Sequence, residues 1–163
     1  MIRMGEYSKK AAMLIEEQGL PFWDKPTTDV PDLPRDITSL SDEDLMTLFS
    51  ELTSWMDYAY GQYAAAAIDE RNAEKRYDRV FNLKFVAATL NATKADRIAI
   101  LKAQVMAEDE VVDAEDEKDK AYAYRKLVES IANNLERDAA LVSRELSRRN
   151  NEFKGPRKDR YTL

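Results

Sequence analysis

The chain has 163 residues, with 25 Lys and Arg against 31 Asp and Glu, so its formal charge is −6. It contains no His and no Cys, which excludes a thiol nucleophile, a disulfide, an imidazole base and a zinc site with nitrogen or sulfur ligands. The four glycines stand singly, so there is no glycine-rich phosphate cradle, and no stretch approaches the ~18 consecutive apolar residues of a membrane span.

The first ten residues, MIRMGEYSKK, lack the apolar core of a signal peptide. Residues 8–18 then read as a short helix, with Tyr7, Ala11, Leu14 and Ile15 at helical spacing. Gly19 supplies a left-handed stop, and Pro21 prevents continuation. Four of the five prolines (Pro21, Pro26, Pro31 and Pro34) follow within fourteen residues and predict an extended arm. That arm carries Phe22, Trp23, Val30, Leu33 and Ile37, more apolar surface than a free linker needs. It lies either on the protein's own helices or on a partner.

Residues 35–154 contain no proline and one glycine, which favours long helices. Ser41 is the expected N-cap, with Asp44 completing an S-x-x-D capping box and Leu40 and Leu45 placed for a hydrophobic staple. From there a seam in steps of four and three runs Leu45, Phe49, Leu52, Met56, Ala59, Tyr63, Ala66, Glu70, Ala73, Tyr77, Val80, Lys84 and Ala87. Only Glu70 and Lys84 break it. A break is expected at residues 90–96, where Asn91 suits a left-handed helix end and Thr93 with Asp96 forms a second capping box. The second long helix is expected to start with Ile98, Leu101 and Val105, pass an acidic stretch and then resume strongly. Its later seam is Ala121, Tyr124, Val128, Ala132, Leu135, Ala139, Val142 and Leu146, widened by Leu127, Ile131 and Leu141. The fold expected is all-α: a long antiparallel helical hairpin or coiled coil, preceded by a short N-terminal helix and the proline-rich arm. Its divisions are 1–38 for helix and arm, 39–153 for the hairpin, and 154–163 for a basic tail. One hairpin buries little for its length, so self-association is expected through Leu45, Phe49, Leu52, Met56, Tyr63 and Tyr77.

Two charge runs stand out. Between Glu108 and Asp119 there are eight acidic residues and one lysine, but no EF-hand glycine and no histidine for a di-iron site. This reads as a solvated helical face, kinked or frayed by like charges, and neither metal nor cofactor is expected. The C-terminal end is basic: Arg144, Arg148, Arg149, Lys154, Arg157, Lys158 and Arg160 outnumber Glu145, Glu152 and Asp159. Such an end can neutralise phosphates, with Phe153 and Tyr161 available for stacking, so these seven residues are the candidate nucleic-acid contacts. Serines and threonines are present, but no histidine can activate one, and the protein is expected not to be an enzyme.

The runs LSDEDLMTLFSELTSWMDYAYGQY (Leu40–Tyr63) and AYAYRKLVESIANNLERDAALVSRELSRR (Ala121–Arg149) resemble an actinobacterial-phage family of helical proteins. In layout the chain over residues 41–150 is also similar to UvsY-type phage recombination mediators. That resemblance implies a homo-oligomer in the host cytoplasm that grips single-stranded DNA and meets a recombinase or single-strand-binding protein. The alternative is a virion structural or assembly protein, whose arm and helices clamp neighbouring phage structural proteins. One departure is that positive charge lies at the C-terminus while the middle of the second helix is acidic.

Overall fold

The computed structural model describes residues 5–20, 24–93 and 97–153. Among these there are four α-helices, α1 (Glu6–Glu17), α2 (Asp42–Leu90), α3 (Ile98–Met106) and α4 (Asp109–Phe153), one 3-10 turn at Ile37–Ser39, and no strand. The chain forms two compact units. Unit 1 comprises Met1–Phe22 with Gly61–Glu129, and unit 2 comprises Trp23–Tyr60 with Ser130–Leu163. The expected all-helical fold is thus observed, with α2 and α4 packed against each other.

In unit 2, Leu45, Leu52, Trp55 and Ala59 of α2 form one core with Ala132, Leu135, Ala139 and Val142 of α4. Each set repeats in steps of three and four, so each helix contributes a single stripe. Arg149 pairs with Asp42, and Tyr60 donates to Glu136, so α4 runs opposite to α2. The start of α2 follows its sequence signal: the Asp44 amide donates to Ser41 Oγ at 3.1 Å, and the Ser41 hydroxyl donates to Asp44 Oδ2 at 2.6 Å. Leu40 joins Leu45 in the core, as the staple requires. Residues 24–36 form no regular element. Leu33 and Ile37 nevertheless pack on the core, and the Trp55 indole donates to the Asp29 carbonyl at 3.1 Å. Val30 is exposed, and Pro21, Phe22 and Trp23 lie outside the described residues.

In unit 1, the apolar interior consists of Ala65 and Ala66 of α2, Leu101 and Val105 of α3, and Val111, Ala114 and Val128 of α4. The two polar breaks in the α2 seam are where charges cross between helices. Glu70 bonds Arg125, and Lys84 bonds Glu108 at 3.1 Å and Glu110 at 3.0 Å. Tyr77, Phe81 and Phe85 stack one turn apart along α2, with centroids 6.2 and 5.9 Å apart.

Helix α1 ends in a Schellman turn. Gly19 has φ +69°, its amide donates to the Glu16 carbonyl at 2.9 Å, and the Leu20 amide reaches the Ile15 carbonyl at 3.2 Å. The buried face differs from the expected one: Tyr7 and Leu14 are exposed, and Ser8 is buried instead. The reason is polar. Asp69 of α2 accepts from the Gly5 amide at 2.7 Å and from the Ser8 hydroxyl at 3.0 Å, capping α1 from a neighbouring helix. This turns Ser8 inward.

One further expectation is corrected. Asn91 does not take a left-handed conformation; no described residue other than glycine has positive φ. Its side-chain amide donates back to the Ala87 carbonyl at 3.1 Å, satisfying the helix end without the turn. The second capping box cannot be placed, since Asp96 lies outside the described residues. The second long helix, expected to pass the acidic stretch, is divided at the start of that stretch: α3 stops at Met106, and the Glu108 carbonyl starts α4 by accepting from the Val111 and Val112 amides at 2.9 and 3.0 Å. The acidic run therefore forms a helix start, where Asp109 and Glu110 face the positive end of the dipole. Beyond it the run is helical.

Candidate nucleic-acid interface

The basic end of α4 is built around Glu145, a buried carboxylate in unit 2. Arg148 grips it with two hydrogen bonds, Nε at 2.8 Å and Nη2 at 2.7 Å, and reaches Glu152 at 2.5 Å. Arg149 adds a third bond to Glu145 at 2.8 Å. The Arg148 guanidinium and then the Arg149 guanidinium hold the Glu145 carboxyl down at about 2, well below its ordinary 4.5. Arg149 also donates to Asp42 at 2.7 Å and to the carbonyls of Leu40 and Thr38, each at 2.9 Å. It ties α4 to the turn that leads into α2.

This arrangement divides the seven predicted contacts. Arg149 is mostly covered and its donors are engaged within the protein, while Arg148 is half exposed but held between two glutamates. Arg144 is exposed and has no ion pair among the described residues. Lys154, Arg157, Lys158 and Arg160 lie outside the described residues, as does the side chain of Phe153.

The residues expected to meet another copy of the chain are partly used inside it. Leu45 and Leu52 have 0% exposure and face the chain's own α4 core, with Phe49 and Met56 packed at its margin. Tyr63 is half buried, and half-buried Tyr77 lies under the Lys118 ammonium at 4.2 Å. At Leu45 and Leu52, a seam between copies gives way to packing within one chain, because the antiparallel α4 covers that stripe.

The acidic run is only in part a bare solvated face. Lys84 takes Glu108 and Glu110, Arg76 takes Glu117 at 2.5 Å, and Lys118 lies 3.7 Å from Glu115. No three acidic side chains among the described residues are grouped to hold a metal ion.

A feature without a sequence assignment lies in unit 1. The start of α1 and facing parts of α2 and α4 enclose a groove of about 850 Å³. Lys75, Arg76 and Arg79 line it from α2, and Lys120 from α4, with Tyr7 and Tyr124 among its walls. The signal was present: Arg71, Lys75, Arg76 and Arg79 give α2 four cations in nine residues. It was obscured by the more conspicuous C-terminal run.

In comparisons with known proteins, no family model, no curated protein and no solved structure matches the chain. No helix among the described residues is long and apolar enough to cross a membrane.

Proposed function

We propose that this chain works by self-association and binding, as a non-enzymatic accessory protein of phage DNA metabolism. The observation that carries the reading is an apolar stripe on α4 that the chain's own packing leaves open. Leu127 is 67% exposed and Ile131 55% exposed, one turn apart on the same helix face. A second copy of the chain suits it, since crossing the same stripe with itself covers both copies at once. Copies joined in this way gather their cationic ends, so weak single contacts add up on one strand. The resemblance to recombination mediators supports single-stranded DNA as the ligand and a recombinase or single-strand-binding protein as the partner.

The second reading, a virion assembly protein, is favoured by the internal engagement of Arg148 and Arg149. There the same stripe joins structural subunits, and nucleic acid is incidental.

Sedimentation of the full chain tests the shared part. The wild type should associate at micromolar concentration, and the pair Leu127→Glu and Ile131→Glu should return it to an 18.7 kDa monomer with unchanged helix content. A wild type that is already monomeric removes both readings. Anisotropy with a short oligothymidine then separates them: binding at 150 mM salt supports the DNA accessory, and no binding at low salt leaves the assembly protein.

A further inference from the structure

We infer that the groove of unit 1 is the path of single-stranded nucleic acid, with Lys75, Arg79 and Lys120 taking phosphates and Tyr7 and Tyr124 taking bases. The inference rests on the proposed DNA-binding reading and relocates its site away from the C-terminus.

The carboxylates and the cations of the groove are unevenly partnered. Three carboxylates line it, and each has a partner: Asp69 accepts from Gly5 and Ser8, Glu117 from Arg76, and Glu6 from Lys10 at 2.7 Å. The cations are not matched in the same way. Lys75, Arg79 and Lys120 are exposed and have no ion pair among the described residues. An open groove with unanswered cations and satisfied carboxylates selects for an anion.

Spacing extends this from one anion to a chain of them. Lys75 and Arg79 are one helical turn apart on one face of α2, about 5.4 Å along the axis, so the cationic wall follows a line. Lys120 and Tyr124 are likewise one turn apart on α4, placing a cation beside a ring. Tyr7 is 59% exposed, with the Lys10 ammonium 5.7 Å from its ring centroid, and Tyr124 is 43% exposed, so both rings are accessible to an unstacked base. An acidic peptide would use the cations and leave both rings idle. A duplex hides its base faces. A single strand uses cations and rings together, and it tolerates any sequence, because every base has a face to stack.

The test uses the full chain and a labelled oligothymidine, read by anisotropy across a salt series. The triple variant Lys75→Gln, Arg79→Gln and Lys120→Gln should weaken binding at 50 mM salt by about tenfold or more. It should also flatten the salt dependence by about 0.7 in slope for each phosphate that is no longer neutralised. A matched variant, Lys9→Gln, Arg97→Gln and Lys102→Gln, removes the same charges from exposed positions outside the groove and should have a much smaller effect. Tyr7→Ala with Tyr124→Ala should weaken binding about fivefold or more with an unchanged salt slope. Helix content by circular dichroism confirms that each variant is folded.

If the groove variants bind like the wild type while removal of residues 154–163 abolishes binding, the groove assignment is overturned and the DNA-binding reading stands. If the matched variant loses as much as the groove variant, or duplex binds as tightly as single strand, the groove assignment is again overturned. A wild-type chain that binds no oligothymidine at low salt ends the DNA-binding reading, and the groove assignment with it.

Discussion

Glu145 shows how a carboxylate is kept charged inside a helical pair. Two guanidiniums from its own helix give it three hydrogen bonds, and its acidity follows from them. Because its folded pKa of about 2 lies below the ordinary 4.5, the folded state is favoured wherever the carboxylate is ionised. That contribution is complete above about pH 4.5 and is lost as the pH falls towards 2. Glu145→Gln should therefore lower the melting temperature at pH 7, and the gap to wild type should close on acidification through this window. A gap that stays constant with pH would mean that Glu145 acts through packing alone. Leu52 makes the complementary case without charge. It is fully buried, so Leu52→Ala should cost about 2–5 kcal/mol in chemical denaturation, depending on how far the site collapses.

Among the elements, α1 depends most on a single neighbour. Its N-cap is Gly5, with no side chain to accept a bond, and Asp69 of α2 supplies the acceptor. A Cβ built at Gly5 would lie 2.3 Å from Asp69 Oδ1, so the glycine is required by this close approach. Gly5→Ala should push the carboxylate away and release α1. Amide exchange over Glu6–Glu17 should accelerate while the amides of α2 stay protected. The N-cap and staple of α2 were legible in the sequence because Ser41, Asp44, Leu40 and Leu45 act within a few residues of one another. The cap of α1 was not legible, since Gly5 and Asp69 meet only after folding. The same distinction explains the acidic run: read locally, its like charges suggested fraying, yet Asp109 and Glu110 begin a helix and Glu108 and Glu110 answer Lys84. Glu70 and Lys84 looked like flaws in a seam until Arg125, Glu108 and Glu110 faced them. The groove was missed for a similar reason, because α1, α2 and α4 contribute to it from distant positions in the chain.

For the whole molecule, five of the eight carboxylates of the acidic run have protein cations as partners, and there is no imidazole or thiolate to bind a metal. Millimolar EDTA should leave both the melting temperature and the oligomeric state unchanged. A rise of several degrees with Ca²⁺ or Mg²⁺ would show that a site exists, because an ion bound to the native state stabilises it. The Arg149 clasp has a consequence of another kind, in the order of folding. In unit 1 the ion pairs between α2 and α4 join residues 26 to 55 positions apart, whereas Arg149 reaches partners 107 to 111 positions away. Closing the longer loop costs more chain entropy, so contacts nearer the reversal form first and the clasp closes late. An interaction absent from the transition state governs escape from the native basin rather than entry into it. Arg149→Ala should accelerate unfolding in stopped-flow denaturant jumps and leave the refolding rate almost unchanged, and equal slowing of refolding would place the clasp in the nucleus. Arg149 thus sets the lifetime of the folded chain more than the speed of its formation.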